Sequence, residues 1–567
     1  MSDAGGAHPL PAAAIRATPR ARRRAGLPRP QISGVGAVFL VVFTAELAFG
    51  AWMAARGFRW NDAMSRSASA LAVLHSADPK LANIGFVWPP LPALCNVLWT
   101  LLYPLWPGIV ASGVAASLTS AASAGATAAL LLMTAQRLGL SKLLGWTFAL
   151  IVAVNPMLFL YGSNGMPEGV AAPFLTGAVC FVVLFWHTGE RLWVGASGAA
   201  LALGVATVYQ GVAYGAGLYV ALVGGILWSS EARAWTPLGR WRAIEGLGLL
   251  LLVPPVFVGL LWIGLNAMIM GDPLSFMYGD YGYRSFQASA DESGAVLYVT
   301  GDVAGALVLV AERVFAFLIP LGFILLVRLL DGRLWRANTL GVIALGLSVP
   351  LGMVAPMAFV GSPMGFLRYL LFPLFVAAGW GLHEIAVSRR RRTAAVLIIG
   401  GWLAAAPAAL WVMTHPQLGL EERGELIALA NGADGTDAVD VAVPVARYLD
   451  TEILPKGRNV VFDSVAQGAM VAVQLSPAHL KQAIITSDRR FKDAIARPGS
   501  HDVGYFVMPD PSLTTNAAIG RAYPRLWNGR EPGFRLVKTV ATRLEKWRIY
   551  EVLPGARGPA TKHGGGG

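Results

Sequence analysis

Residues 32–55 decide the fold class, and they read ISGVGAVFLVVFTAELAFGAWMAA. This apolar run matches the roughly 20 residues that a helix needs to cross a bilayer, and it is too long for the core of a signal peptide. Basic residues before a span mark its cytoplasmic side. The preceding stretch is basic, with Arg16, Arg20, Arg22, Arg23, Arg24 and Arg29. We therefore predict a cytoplasmic, disordered tail over 1–31 and a retained first span.

The composition of the whole chain agrees with a membrane protein. Of its 567 residues, 55% are hydrophobic and 14% are charged, and the mean hydropathy is +0.56. A soluble globular chain carries roughly 25% charged residues. A soluble enzyme is therefore excluded. Cys95 and Cys180 both fall in apolar stretches, so the sequence predicts neither a disulfide framework nor a thiolate zinc site.

Long apolar runs recur along the chain and predict a polytopic α-helical membrane protein. With the first span they give about eleven transmembrane helices. Alternate threading places the basic clusters around Arg137, Arg333 and Arg389 on the side of the N-terminal tail, as the positive-inside rule requires. The net charge of +13 thus indicates topology, and we expect no nucleic-acid partner. The further runs are 108–135, 143–161, 170–187, 193–209, 212–229, 246–268, 309–329, 337–360, 369–387 and 394–412.

The threading predicts a C-terminal domain outside the cytoplasm. After residue 412 the apolar runs shorten to strand length, as at 459–463, 483–486 and 505–508. Helical stretches lie between them, a pattern typical of a small α/β fold. We expect a transmembrane module at 32–412, an extracytoplasmic α/β domain at 413–555 and a flexible tail at 556–567.

The first extracytoplasmic loop, 56–107, is long and partly apolar. Residues 62–76 carry apolar side chains at helical spacing, which predicts a helix lying at the membrane interface. Trp88-Pro-Pro-Leu91 then begins a short apolar piece that ends at Pro107. It is bracketed by prolines and aromatic residues of the interfacial type, so we expect it to lie along the membrane without crossing.

Acidic residues on the membrane rim are candidates for function, because charge is costly there. Three of them stand out: Asp62, Asp78 and Glu168. Each has a structural alternative. Asp62 precedes an amphipathic run and is suited to cap a helix, Asp78 precedes a proline in a turn, and Glu168 follows a proline where the helix dipole favours a carboxylate.

This layout resembles the GT-C superfamily of membrane glycosyltransferases, including bacterial glycosyltransferase family 39/83-like proteins. The resemblance rests on the basic N-terminus, Asp62 after the first span, the interfacial helix, Trp88-Pro-Pro-Leu91, Glu168 after the third span and the pair Arg368-Tyr369 before a late span. It covers most of 32–412 in layout. The resemblance implies transfer of a sugar from a polyprenyl-phosphate donor to an extracytoplasmic glycan, lipid or protein acceptor, at the plasma membrane.

The resemblance also implies roles for individual residues. Asp62 is expected to be the catalytic base that takes the acceptor proton during an inverting displacement. Glu168 is expected to hold the acceptor or the sugar hydroxyls. Arg368, with Tyr369 beside it, is expected to bind the lipid phosphate through two parallel hydrogen bonds. The alternative for Arg368 is interfacial anchoring.

Further substrate contacts are expected from Asp78, Trp88 and Arg284. Arg284 lies in the loop 269–308, whose tyrosines and acidic residues suit a lid over a sugar, although interfacial tyrosines would give the same pattern. Ala63 and Met64 follow Asp62, where many superfamily members have a second acidic residue. A divalent metal wants several oxygen ligands close together, so we expect no metal and no other cofactor.

Two other functions remain open from the residues alone. A polytopic transporter or lipid flippase would fit the apolar composition, but no internal repeat is evident and many transporters have one. A ligase or polymerase that uses a polyprenyl-diphosphate oligosaccharide would place its basic groups in a large late loop. Here the rim arginines are scattered.

Overall fold

The structure is a computed structural model, and it describes residues 32–227, 236–279, 282–284, 299–336, 338–360, 365–435, 439–464, 467–511, 518–541 and 546–556. The predicted tail at 1–31 and nearly all of the predicted tail at 556–567 lie outside these residues. So do Asp280, Tyr281, Asp291 and Glu292 of the predicted lid.

Helices make up the membrane part of the chain, and each apolar run that was predicted to cross forms one or two of them. In chain order they are α1 (Ile32–Ala55), α2 (Asn61–His75), α3 (Leu91–Thr100), α4 (Gly108–Ala111), α5 (Val114–Arg137), α6 (Lys142–Ala153), α7 (Pro156–Ser163), α8 (Pro167–Thr188), α9 (Leu192–Val205), α10 (Gly211–Leu227), α11 (Pro237–Met270), α12 (Ser275–Tyr278), α13 (Val303–Leu330), α14 (Asn338–Val360), α15 (Phe372–Val387) and α16 (Arg391–Thr414).

These helices confirm the polytopic fold but leave the count of about eleven spans unconfirmed. Within the described residues, seven helices are long and apolar enough to cross a membrane, and α6 with α7 makes an eighth crossing if the pair, bent by 73°, is one span. Helices α9, α10 and α15 are apolar but have only 14, 17 and 16 residues. At 1.5 Å per residue, such helices reach roughly 21–26 Å, against a hydrocarbon core of about 30 Å.

Contacts place the predicted extracytoplasmic loops at one end of the bundle, which we call the Asp62 end. Arg368 precedes α15 and forms an ion pair with Asp62, which follows the end of α1. Arg313, near the start of α13, donates to the carbonyl oxygens of Gly365 and Gln417. Gly301 donates its N–H to Ala358 at the end of α14. These contacts bring the end of α1, the start of α13, the end of α14 and the segment after α16 together at this end of the bundle.

Two hydrogen bonds join the first loop to residues 206–210. Leu91 donates its N–H to the carbonyl oxygen of Ala206 at 2.9 Å, and the Tyr209 hydroxyl donates to the carbonyl oxygen of Val87 at 2.7 Å. Residues 206–210 join α9 to α10 at this end of the bundle. Because α3 has only ten residues, it is too short to cross a bilayer.

The C-terminal part contains a five-stranded sheet with helices around it. The strands are β1 (Asn459–Phe462), β2 (Ala483–Ile484), β3 (Val503–Pro509), β4 (Phe534–Ala541) and β5 (Lys546–Val552), and the helices are α17 (Glu422–Ala430), α18 (Val439–Tyr448), α19 (Gln467–Gln474), α20 (Phe491–Ala496) and α21 (Ala518–Ala522). The sheet order is β2-β1-β3-β5-β4, with β1 parallel to β2 and β3, and β5 antiparallel to β3 and β4. The three predicted strands correspond to β1, β2 and β3, which confirms the α/β character of the domain.

Alternation along the strands gives this sheet two buried faces. Phe506 and Met508 of β3 pack with α20 and α21. Tyr505 and Val507, which point the other way, belong to a core that also contains Met64 and Leu71 of α2. The helix that carries Asp62 is thus packed on the C-terminal domain. Residues 415–430 lie against the membrane bundle instead, through Leu418 and α17.

Candidate active site

Four charged side chains from distant parts of the chain meet at the Asp62 end, and we call them the carboxylate cluster: Asp62, Glu168, Arg368 and Glu421. Arg368 lies at the centre. Its Nη1 donates to Oδ2 of Asp62 at 2.9 Å, and its Nη2 lies 3.1 Å from Oε1 of Glu421. Its Nε lies 4.0 Å from Oε1 of Glu168. The structure therefore joins three residues predicted for the site and adds a fourth.

Asp62 lies in the first turn of α2 but does not cap the helix. Trp60 occupies the N-cap position, and no side-chain capping bond is formed. Its carboxylate faces Arg368, and Nη1 of Arg66 lies 4.0 Å away on the same helix. Burial raises the pKa of Asp62, but the two guanidinium groups outweigh it and hold the pKa below its ordinary value. Asp62 is therefore ionised, and its side chain keeps 31% of its surface exposed.

Glu168 lies in the first turn of α8, which begins at Pro167. The turn that leads into this helix depends on Gly165, whose φ is +78° and whose Cβ would lie 2.4 Å from the Cβ of Ala116 on α5. Its N–H donates to the hydroxyl of Ser120 at 3.0 Å. Any other residue would be strained here by the backbone conformation and by the contact with α5. This close approach places the Glu168 carboxylate, which is only 2% exposed, beside Arg368.

Arg368 lies in the short helical turn Leu367–Tyr369 between α14 and α15. Its Nη2 also donates to the Tyr369 hydroxyl at 3.1 Å. Its guanidinium carbon lies 4.9 Å from the Tyr369 ring centre and 5.2 Å from that of Phe366, distances at which cations and aromatic rings attract. Buried and surrounded in this way, Arg368 is not an interfacial anchor.

Glu421 is the N-cap residue of α17, and Glu422 is the first residue of that helix. Burial raises the pKa of Glu421 to about 8; the charge of Arg368 opposes this, and nearby carboxylates add to it. Burial also raises the pKa of Glu422, although the Tyr161 hydroxyl donates to its carboxylate at 2.6 Å. Oε2 of each side chain is buried without a hydrogen-bond partner among the described residues. Both are therefore protonated more readily than ordinary glutamates.

The balance of charges defines what this site can do. Near Arg368 and Arg66 there are four acidic groups: Asp62, Glu168, Glu421 and Glu422. The ionised base Asp62, the guanidinium and the readily protonated Glu421 provide a proton acceptor, an anion-binding group and a proton donor within about one hydrogen bond of each other. Such an arrangement suits a displacement that releases a phosphate.

Three residues predicted to contact substrate lie elsewhere or further out. The guanidinium carbon of Arg66 lies 5.8 Å from the centre of the Trp88 ring. Because Arg66 neighbours Asp62, Trp88 flanks the cluster. Asp78 instead accepts from Lys80 at 2.6 Å and from Arg489 of the C-terminal domain at 2.8 and 3.0 Å. Arg284 lies over the Tyr278 ring at 4.6 Å, and no contact within the described part of the chain joins it to the cluster.

No protein-family model and no curated protein sequence matches this chain. Solved structures do. The chain is similar to the crystal structure of ArnT from Cupriavidus metallidurans bound to undecaprenyl phosphate, with a TM-score of 0.50 and 14% identity over 93% of this chain and 100% of that one. The same protein in the apo state gives a TM-score of 0.50 and 17% identity over the same shares. The Archaeoglobus fulgidus oligosaccharyltransferase in the apo form gives 0.36 and 11%, over 82% of this chain and 69% of that one.

The chain has the fold of ArnT. The similarity spans both the helical bundle and the C-terminal domain. This agrees with the predicted fold, a polytopic helical bundle followed by a C-terminal α/β domain.

Sequence reasoning missed several residues of the site. Glu421 and Glu422 follow the last apolar run directly, on the rim where acidic residues are functional candidates. Arg66 lies four positions after Asp62, a spacing that brings two side chains together on a helix. Both patterns were present in the sequence, and applying the rim criterion to every predicted loop would have found the two glutamates.

Proposed function

We propose that this protein is a membrane glycosyltransferase that transfers a sugar from a polyprenyl-phosphate donor to a glycan, lipid or protein acceptor outside the cytoplasm. One observation carries the proposal: in a chain with the fold of ArnT, Asp62 and Arg368 form an ion pair of 2.9 Å at the predicted extracytoplasmic end. The relative with the same fold was solved with undecaprenyl phosphate bound, which supports a polyprenyl-phosphate donor for this chain.

Arg368 binds the donor phosphate in this proposal. A guanidinium presents several N–H groups in a plane and suits two oxygens of one phosphate. In the structure these N–H groups face the carboxylates of Asp62 and Glu421. The phosphate therefore has to replace a carboxylate. Glu421 gives way more readily, because its raised pKa allows it to take up a proton and lose its charge.

Donor binding then activates Asp62. Phosphate on Arg368 weakens the ion pair that holds the pKa of Asp62 down, so the carboxylate becomes a stronger base. Asp62 takes the proton of the acceptor hydroxyl as its oxygen attacks the anomeric carbon. The bond from that carbon to the phosphate oxygen breaks with inversion, and the electron pair leaves with the polyprenyl phosphate, whose charge Arg368 stabilises. Glu168 and Tyr369 hold Arg368 in place and contact the sugar.

The experiment is release of polyprenyl phosphate by the purified full chain in lipid, given a panel of polyprenyl-phosphate sugars and envelope acceptors. Asp62→Asn should lower the rate at least about a hundredfold, the scale for losing a general base. Asp78→Asn is the matched control, since it makes the same chemical change at a carboxylate held by Arg489, and it should keep the rate within a few fold. An equal loss in both variants would remove Asp62 as the base. No release with any donor would favour a transporter.

We also propose that transfer needs no divalent metal. Asp62 has alanine and methionine as its next neighbours, and its carboxylate is occupied by Arg368. Release should therefore continue in excess chelator. Loss of release that magnesium or manganese restores would contradict this.

The proposed orientation places the N-terminus in the cytoplasm and the C-terminal domain outside the plasma membrane. It is supported by Arg328 and Arg333, which lie with Glu384 at the end of the bundle opposite to the cluster. A cysteine introduced at an exposed position of β4 should react with an impermeant maleimide in intact cells. Reaction only after lysis would reverse the orientation.

A further inference from the structure

A cavity lies inside the helical bundle, lined by residues of α1, α5, α6, α7, α8 and α15 and by Leu371 just before α15. Its water-accessible volume is about 30 Å³. A buried water needs roughly 10–15 Å³ by this measure, so the cavity holds about two. Most of the wall is apolar, formed by alanine, leucine and valine side chains and by Phe375. A purely apolar cavity of this size would stay dry.

Three buried polar atoms that belong to the lining residues interrupt this apolar wall, and they set the cavity apart from a packing defect. They are Oε2 of Glu46, Oε2 of Glu168 and Oγ1 of Thr176, and none has a hydrogen-bond partner among the described residues. The three residues are 1%, 2% and 0% exposed. Buried polar atoms are nearly always hydrogen-bonded to protein or to ordered water. Water in the cavity would satisfy all three.

Glu46 lies near the middle of the first span, and no cation among the described residues forms an ion pair with it. Its carboxyl group occupies the space beside Gly162 of α7, where a Cβ would lie 1.7 Å from Oε2. The other ionisable residues that line the cavity are Glu168 and Tyr161, and the lining includes no lysine, arginine or histidine. A carboxylate buried at membrane depth without a cation is strongly disfavoured, so Glu46 has to be neutral.

Glu168 connects this cavity with the carboxylate cluster. Its Oε1 faces Nε of Arg368 at 4.0 Å, whereas its Oε2 is the unpartnered atom described above. The guanidinium favours the charged form of Glu168 over that of Glu46, which has no such neighbour. A proton shared by the two residues therefore belongs mainly to Glu46, and Glu168 is the acceptor.

We propose that this cavity is a proton-binding site, in which Glu46 is a neutral carboxylic acid that shares its proton with Glu168 through one or two water molecules. The chain then holds a single proton between two carboxyl groups, with water donating to Oε2 of Glu168 and accepting from Glu46. The inference concerns Glu46 and the cavity, and it stands whether or not the chain transfers sugars.

Infrared difference spectroscopy on the full chain in lipid tests the proposal, because a protonated carboxyl group has a carbonyl band separate from carboxylate bands. At neutral pH the wild type should show a band that is lost in Glu46→Gln, whose amide has nearly the shape of the neutral acid. The band should shift on transfer to D2O, and it should change frequency in Glu168→Gln. If no band depends on Glu46, the residue is ionised and the proposal is wrong.

Thr176→Val is the second variant, and it replaces an unpartnered hydroxyl by a methyl group of similar size. It should also shift the Glu46 band, because the water in the cavity loses one of its partners. A band that moves neither in D2O nor in Glu168→Gln and Thr176→Val would mean a dry, isolated acid and would overturn the proposal. A band that disappears when sodium replaces choline in the buffer would mean a cation site instead, and would also overturn it.

Discussion

Nη2 of Arg368 and Oε1 of Glu421 lie 3.1 Å apart, with Arg368 in the short turn before α15 and Glu421 in the segment that leads from the membrane to the C-terminal domain. Their contact closes the carboxylate cluster. It also makes the charge of the cluster adjustable, because Glu421 has a pKa of about 8 and therefore changes charge near neutral pH. Asp62, on the other side of Arg368, has a lowered pKa and stays ionised through this range.

The first prediction concerns the pH dependence of stability. Glu421 has a pKa of about 8 in the folded chain against an ordinary value of 4.5. A raised pKa means that the folded state holds the proton more tightly, so the contribution to stability is fully present below about pH 4.5 and is lost as the pH rises through 8. One such group lowers the free energy of unfolding by at most about 1.4 kcal/mol per pH unit within this window.

Thermal unfolding of wild type and Glu421→Gln between pH 4 and pH 9 measures this effect. The melting temperature of the wild type should fall more steeply with pH than that of the variant. Glu422 also has a raised pKa and adds to the fall in both proteins, so the difference between the two curves belongs to Glu421. Parallel curves would show that Glu421 titrates normally.

The second prediction separates the geometry of Arg368 from its charge. Arg368→Lys keeps the positive charge but cannot form two parallel hydrogen bonds to a phosphate. A hydrogen bond to a charged group is worth about 1.5–3 kcal/mol, which corresponds to a rise of roughly ten- to a hundredfold in the KM for the donor. The KM for the acceptor should change much less. Steady-state kinetics with each substrate varied in turn would show this, and an unchanged donor KM would contradict phosphate binding by Arg368.

The third prediction concerns the turn before Glu168. Gly165→Ala adds a Cβ to a residue with a φ of +78°, at 2.4 Å from the Cβ of Ala116. The backbone conformation alone costs roughly 1–2 kcal/mol, and the clash pushes α8 away from α5. The matched control is Gly271→Ala, which has the same φ but nothing within 4 Å of the added Cβ. Thermal unfolding should show a larger loss for Gly165→Ala, and only this variant should lose transfer activity.

Much of the fold was predictable because membrane spans follow from length and apolarity alone. The threading then placed Asp62, Glu168 and Arg368 at one end of the bundle, and the structure brings all three together. Asp78 lay at the same end and fitted the same criterion. It lies away from the cluster because Arg489, on a different domain, binds it with one backbone and two side-chain hydrogen bonds, and no pattern in the sequence links these two residues.

Glu46 shows a different limit. A search restricted to acidic residues on the membrane rim ignores those in the middle of a span, although these are the most costly ones in a bilayer. The rim criterion would have selected Glu421 as a candidate, but its contact with Arg368 could not be predicted, since it arises from the packing of α15 and α16 against their neighbours. Sequence patterns thus gave the positions of helices along the chain, whereas contacts between helix ends required the structure.

The last prediction concerns Arg313, which connects the two segments that meet at Arg368 and Glu421. Its Nε donates to the carbonyl oxygen of Gly365 and its Nη2 to that of Gln417, both at 2.8 Å. The first carbonyl lies three residues before Arg368 and the second four residues before Glu421. Arg313 touches neither cluster residue in these bonds, so we assign it a positioning role.

Arg313→Lys should separate the two segments, because a single ammonium group cannot reach both carbonyls in the directions that the guanidinium does. We expect kcat to fall about tenfold or more, by analogy with the loss of one charged hydrogen bond, and the donor KM to rise. Hydrogen exchange should become faster at 365–371 and 415–421 only. A loss of global stability would instead make exchange faster throughout the bundle. The control is Glu312→Gln, whose side chain is 58% exposed and lies 4.0 Å from Arg313. If hydrogen exchange at 365–371 and 415–421 stays at the wild-type rate in Arg313→Lys, other contacts hold the cluster together.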